Sequence, residues 1–218
     1  MDYVFSQIPD LDLVAISIGN EIDAYLCEDS GKWDQYQKFY NETSAYIRDK
    51  NPSVKIGCKT TFDAVTGKNE KEIKVLNKES DVIMVNYYPL NSDFSVKDPS
   101  VVQPDIDGLT SLYMNRIIYI TEAGYPSSPQ VGSSEEMQRE FIREIFKAWD
   151  KHRLQVKLID FVWLHDLSKS EVDIFVEYYG VLANPFKEFL RTLGLRTYDG
   201  KEKQAFIALK AEAEIRGW

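Results

Sequence analysis

Two glutamates, each closing an apolar strand-like run, are the residues of this sequence best placed to do chemistry. The first run is Ile16-Ser17-Ile18-Gly19-Asn20-Glu21. The second is Ile117-Ile118-Tyr119-Ile120-Thr121-Glu122-Ala123-Gly124-Tyr125-Pro126. A carboxylate at the end of a buried strand is costly unless something pairs with it, because an unpaired buried charge is penalised by several kcal/mol. Two of them, about a hundred residues apart, suggest carboxylates meeting at the same end of one sheet. A carboxyl pair across a sugar-sized gap is the working part of glycoside hydrolysis. The competing reading makes both glutamates helix-start carboxylates, favoured by the helix macrodipole.

The elements that must carry them are legible as an alternation. Apolar, β-branched runs at 13–18, 54–58, 82–88, 117–121 and 156–164 read as strands. Helical patterns lie between them, over 31–50, 68–77 and 101–113. Another runs from Ser133 to about His152, with Ser133 as candidate N-cap and Glu136 three residues on. After the last strand the sequence predicts a long loop, a short helix over 185–193 and a final helix over 203–216. The dozen residues before the first strand look like the end of a preceding helix.

Near-continuous apolar strands alternating with helices fit a parallel sheet buried on both faces. Two architectures then compete, an open doubly wound sheet and a (β/α)₈ barrel. The turn after the first strand reads Gly19-Asn20-Glu21-Ile22-Asp23, not the glycine-rich phosphate turn of a dinucleotide fold. The residues that look functional fall at C-terminal strand ends, as on the catalytic face of a barrel.

Bulk properties limit the partners. The 218 residues, 44% hydrophobic and 28% charged, suit a single domain over 1–218, or a piece of a larger one. A net charge of −9 repels phosphate backbones and argues against nucleic acid. No apolar run reaches the roughly 20 residues that span a bilayer. The start Met1-Asp2-Tyr3-Val4-Phe5 lacks the pattern of a signal peptide, so the chain as it stands reads as cytoplasmic, while a longer parent could be secreted. Cys27 and Cys58 are expected to be free thiols. With His152 and His165 the only histidines and no clustered cysteines, neither a metal nor a cofactor is expected.

Taken together, the motifs resemble the retaining glycoside hydrolases of the large (β/α)₈-barrel clan. Ile18-Gly19-Asn20-Glu21 resembles the Asn-Glu signature ending that clan's strand four. Val85-Asn86-Tyr87-Tyr88-Pro89 is similar to strand six, whose tyrosine lies beside the nucleophile. Ile120 to Ser128 resembles the nucleophile segment of strand seven, its Glu-x-Gly-aromatic-Pro-Ser wording being similar to the β-1,3-glucanase and β-1,4-galactanase branches. Phe161-Val162-Trp163-Leu164 looks like strand eight, whose tryptophan floors the sugar site, and residues 194–205 resemble the closing phrase before the clan's last helix.

The resemblance implies retaining hydrolysis of β-glycosidic bonds in a poly- or oligosaccharide by a two-glutamate double displacement. Glu21 would be the acid/base and Glu122 the nucleophile. Asn20 would bind the sugar's 2-hydroxyl, Trp163 would be a platform, and Tyr125 would line the cleft. Tyr87 would donate to the nucleophile. Tyr88 is its alternative, since strand alternation turns only one of the two inward.

Strands one to three of the clan, with their further substrate contacts, have no counterpart in the sequence. The expected fold is therefore an incomplete barrel of about five strands, equivalent to strands four to eight. Its open edges, at 13–18 and 156–164, would invite self-association or a partner chain. The alternative function is a non-catalytic truncated barrel fragment or assembly subunit with a vestigial sugar site.

Overall fold

The computed structural model describes residues 2–8 and 11–218. In chain order its elements are α1 (Asp2–Gln7), β1 (Ala15–Ser17), α2 (Ile22–Leu26), α3 (Ser30–Lys50), β2 (Lys55–Gly57), β3 (Lys59–Thr61), α4 (Phe62–Val65), α5 (Glu70–Asn77), β4 (Ile83–Tyr87), α6 (Val102–Leu112), β5 (Ile118–Ala123), α7 (Glu135–His152), β6 (Val156–Phe161), α8 (Lys169–Tyr179), α9 (Asn184–Arg191) and α10 (Gln204–Ile215).

The strands form two sheets, β1-β2 and β3-β4-β5-β6. The pairings β1-β2 and β3-β4 are parallel, with Ala15 opposite Lys55 and Thr60 opposite Val85. The fold is an α/β, parallel-sheet, partial (β/α)₈ type in which the barrel is not closed. The run predicted as one strand over 54–58 is β2, and a second short strand that was not predicted, β3, follows Cys58. Beyond Gly57 the ladder with β1 stops, because the Lys59 N–H donates to the Ser17 hydroxyl and not to a carbonyl. The chain then pairs with β4 instead.

The chain divides into two compact units, Met1–Asn86 with Asn115–Thr121, and Tyr87–Met114 with Glu122–Trp218. In the first, α3 forms because Asp29 caps it, accepting from the Lys32 N–H. The helix buries Trp33, Tyr40, Ser44 and Ile47, residues at helical spacing. Val82, Met84 and Tyr119 make a small buried cluster, with Ala15 and Ile117 packed against it. Tyr36 donates its hydroxyl to the Ile18 carbonyl and lies 2.9 Å from Cys58 Sγ.

Both cysteines are free thiols, Cys27 exposed and Cys58 buried. Burial pushes the Cys58 thiol up to about 12, and the thiolate is the reactive form. Iodoacetamide at pH 8 is therefore expected to modify the native chain at Cys27 alone and the unfolded chain at both sites. Rapid native labelling of Cys58, read by peptide mass, would contradict this burial.

In the second unit, α7 begins one residue later than predicted. Its cap is Ser134, which accepts from the Met137 N–H, while Ser133 donates to the Pro126 carbonyl. Its buried stripe includes Phe141, Ile142 and Ile145. The segment predicted as a long loop after β6 contains α8, started by a complete capping box between Ser168 and Glu171. This helix and α9 build an apolar cluster of Val172, Val176, Phe186, Phe189, Leu190 and Leu193. At the end of the sheet order, β6 leaves Lys157, Leu158 and Asp160 exposed.

Candidate active site

In the first unit the turn after β1 has unusual backbone geometry. Gly19 sits at φ +88, and a Cβ there would lie 2.6 Å from Ile22 Cγ2 and 3.0 Å from the Tyr36 hydroxyl, so only glycine fits. Two residues on, Glu21 itself occupies the left-handed region at φ 46, ψ 46. That conformation is uncommon for a glutamate, and such residues cluster at functional sites. Although Glu21 stands at the N-cap position of α2, its side chain makes no capping hydrogen bond, which disfavours the simple helix-start reading. Instead its Oε1 accepts from Asn86 Nδ2 at 3.1 Å. The neighbouring Asn20 is exposed, with its Oδ1 3.5 Å from the same nitrogen. Asp23, the next carboxylate, is buried and accepts from the Thr61 N–H and hydroxyl, a structural role.

In the second unit, Glu122 is half-buried near the C-terminal end of β5. Its Oε2 accepts from the Tyr88 hydroxyl at 2.7 Å. This corrects the preference for Tyr87. That ring is fully buried, stacked on Phe141 of α7, and its hydroxyl donates to Asp105 of α6. Alternation decides the matter, since the face of β4 that meets the helices takes Tyr87 and leaves Tyr88 for the carboxylate. Gly124 permits this approach, as a Cβ there would lie 2.8 Å from Tyr88 Cε1 and 3.0 Å from the Val162 carbonyl.

Tyr125 departs from expectation in the same way. It is buried, stacks on Phe141 and donates to the Lys97 carbonyl, so it presents no surface to a ligand. Trp163 is half-buried and packs against the cluster of α8 and α9, its ring 5.4 Å from Phe175. Asp166 pairs with Lys203. Sequence reasoning gave Asn86 no role, although a polar residue inside an apolar run was a signal. Among the described residues no group of three or more His, Cys, Asp or Glu is arranged to hold a metal ion, and no helix is long and apolar enough to cross a membrane.

A partial (β/α)₈ fold with one glutamate in the turn after β1 and another near the end of β5, each met by a hydrogen-bond donor, resembles the glycoside hydrolase class. The model of the glycosyl hydrolase family 53 matches residues 7–154, and the chain belongs to that family. Among solved structures it is similar to a β-glucuronidase from an uncultured Clostridium sp., with TM-score 0.62, 17% identity, and coverage of 98% of this chain and 34% of that one. It is also similar to a GH5_18 protein from Bifidobacterium longum subsp. infantis, with TM-score 0.65, 11% identity, and coverage of 98% and 50%. A third is the β-D-glucuronidase of Dictyoglomus thermophilum, with TM-score 0.59, 20% identity, and coverage of 92% and 32%. At these identities the likeness is one of fold. The chain thus spans 32% to 50% of the length of these neighbours. No curated protein matches it in sequence.

Proposed function

We propose that this chain carries the catalytic residues of a retaining glycosidase acting on β-linked poly- or oligosaccharides. Glu122 attacks the anomeric carbon while Glu21 protonates the departing glycosidic oxygen. Water then attacks the glycosyl ester, Glu21 takes its proton, and Glu122 leaves as carboxylate. The reading requires the two carboxyls about 5 Å apart. Asn20 binds the 2-hydroxyl and Trp163 offers its uncovered ring area to the sugar.

The observation that carries this reading is the Tyr88 hydroxyl 2.7 Å from Glu122 Oε2. A donor at that distance stabilises the ionised form that a nucleophile needs. The glucuronidase and GH5_18 folds and the family 53 match support the same class.

The test is incubation with activated 2-deoxy-2-fluoro glycosides followed by peptide mass analysis, alongside hydrolysis assays on β-1,4-galactan, β-1,3-glucan and other glycans. A covalent adduct on the peptide bearing Glu122 supports the proposal. Neither adduct nor hydrolysis across the panel would defeat it for this chain.

The two tyrosines give a sharper comparison. Tyr88→Phe is expected to lower kcat by about 10-fold or more, on the scale of a lost donor to a charged catalytic group, with little effect on stability. Tyr87→Phe should leave kcat nearly unchanged. It should instead cost about 1–3 kcal/mol in denaturant unfolding, because Asp105 loses a donor. Equal kinetic effects of the two changes would refute the assignment.

A second reading, an assembly subunit with a vestigial site, is favoured by the exposed backbone edge and apolar Leu158 of β6. Native mass measurement distinguishes it: a chain that self-associates and hydrolyses nothing fits this reading.

A further inference from the structure

We propose that Tyr36 is a positioning residue for Glu21: its hydroxyl, backed by the Cys58 thiol, anchors the Ile18 carbonyl and so holds the turn that aims Glu21 at the leaving oxygen. The inference rests on the reading of Glu21 as the acid/base.

The turn needs an anchor because the strand before it ends early. β1 stops at Ser17, and the Ile18 N–H still reaches the Gly57 carbonyl at 2.9 Å. A parallel ladder repeats at every second residue. The Lys55 N–H meets the Val14 carbonyl, so the same register would bring the Lys59 N–H to the Ile18 carbonyl. That N–H goes to the Ser17 hydroxyl instead, and the Ser17 hydroxyl donates to the Gly19 carbonyl at 2.6 Å. The Ile18 carbonyl is thereby left to a side chain from α3, and Tyr36 donates to it. Further on, the Glu21 carbonyl accepts from the Ala24 N–H at 3.0 Å. Of these three holds on the turn, the one from Tyr36 ties it to the long helix α3.

The order of donors follows from proton count. A tyrosine hydroxyl has one proton to give. With that proton on the Ile18 carbonyl, the 2.9 Å contact between Tyr36 Oη and Cys58 Sγ is donated by the thiol. Burial keeps both groups protonated, raising the Tyr36 hydroxyl and pushing the Cys58 thiol up to about 12. The hydrogen bonds therefore run from Cys58 to Tyr36 to Ile18. The fit against the turn is close, since a Cβ on Gly19 would lie 3.0 Å from the same hydroxyl. Glu21 follows at φ 46, ψ 46, a conformation that persists only where the surroundings over-determine it. Anchoring the carbonyl three residues upstream does so through the backbone. It is a hold separate from the contact of the carboxylate with Asn86.

The experiment compares leaving groups in the full chain. An acid held off its line fails first where the departing oxygen needs its proton. Phenyl β-galactosides and β-glucosides need it, whereas the dinitrophenyl glycosides leave unaided. Tyr36→Phe is expected to lower kcat/KM on the phenyl glycosides by about 10- to 100-fold, the scale of a displaced catalytic group, and on the dinitrophenyl glycosides by less than about 2-fold. Cys58→Ala removes the donor behind Tyr36 and should show the same selectivity at about 2- to 5-fold. Tyr40 lies on the same helix, but its hydroxyl meets Ser80 and not the turn. Tyr40→Phe should therefore change stability and leave the ratio of the two substrates where it was, as would Tyr36→Phe if Tyr36 were merely structural. Nitrogen-15 NMR reads the turn without turnover: the amide signals of Gly19, Asn20 and Glu21 should move in Tyr36→Phe and stay in Tyr40→Phe. Should Tyr36→Phe fail to fold, Cys58→Ala decides.

Equal losses on the two kinds of glycoside, no loss on either, or turn signals that stay put overturn the inference, even if the wild type hydrolyses glycans. Moved turn signals in a chain that hydrolyses nothing uphold the anchor on the turn and defeat the glycosidase reading instead.

Discussion

Glu122→Ala is expected to reduce kcat/KM on a β-linked aryl glycoside by roughly 10⁴-fold or more, the scale on which loss of a covalent nucleophile acts. On the proposed mechanism no glycosyl ester forms without that carboxylate, and the remaining groups can only bind and protonate. The variant should keep its fold, because the carboxylate stands half-buried at a strand end and not in the core. Adding azide gives the discriminating result. The small anion enters the space the carboxylate leaves, attacks the anomeric carbon from the same side, and yields a glycosyl azide of inverted, α configuration. Glu21→Ala with azide should instead give the β product, because there the covalent intermediate still forms and azide replaces water in its breakdown. Product configuration by proton NMR therefore assigns the roles independently of rate. Identical configuration from both variants would remove the distinction between nucleophile and acid/base.

Lys203→Met is expected to destabilise the chain by about 3–5 kcal/mol, the usual loss on breaking one side of a buried ion pair. Against a typical total of about 5–15 kcal/mol, this is the largest stability effect foreseen. Lys203 is 3% exposed at its side chain and Asp166 is 13% exposed. The ammonium donates to Asp166 Oδ1 at 2.6 Å, the Gly194 carbonyl at 2.8 Å, the Ser127 hydroxyl at 3.0 Å and the Thr192 carbonyl at 3.1 Å. Four acceptors share its three protons. They join the loop that follows Glu122, the loop that follows β6, and the turn that follows α9.

Burial pushes the Asp166 carboxyl up and the Lys203 ammonium down, and their mutual hydrogen bond opposes both shifts. Once Lys203 is gone, Asp166 rises further. Its penalty is then full at neutral pH, where the folded state must hold a lone buried carboxylate. The penalty fades as pH falls through the raised folded value toward 3.8, because the native state takes up a proton that the unfolded state does not. Denaturant unfolding at pH 7 and at pH 5 should therefore show a smaller deficit at the lower pH. Asp166→Asn combined with Lys203→Met should recover part of the loss. A strictly additive double variant would mean the pair is not coupled.

Much of this arrangement was written in local sequence. Apolar runs alternating with amphipathic helices were enough to specify a parallel α/β fold, because burial on both faces demands continuous hydrophobic strands. The Asp29 cap of α3 was not predicted, although an aspartate directly before an amphipathic run is a local signal. The start of α7 was misplaced by one residue, since two adjacent serines compete and only the Pro126 carbonyl takes Ser133 out of contention. Helix α8 was missed despite its Ser168–Glu171 box, because its two buried valines make a weak periodic pattern.

The two glutamates and the family to which the chain belongs were fixed by residue order alone, while the structure sets Glu21 beyond the end of β1, at the N-cap position of α2. Which side chains meet them was decided by tertiary structure. Tyr87 and Tyr88 are chemically identical neighbours, and no local rule says which one faces a helix. Packing of Phe141 against Tyr87 and the place of Asp105 on α6 settle it. Asn86 likewise finds its partner only in the fold, since the Thr121 hydroxyl comes from β5, the neighbouring strand in the sheet although far along the chain. A sequence records where a polar group lies along the chain, but the partner that satisfies it is chosen by the fold, because burial makes every donor and acceptor seek a mate that need not be near in sequence.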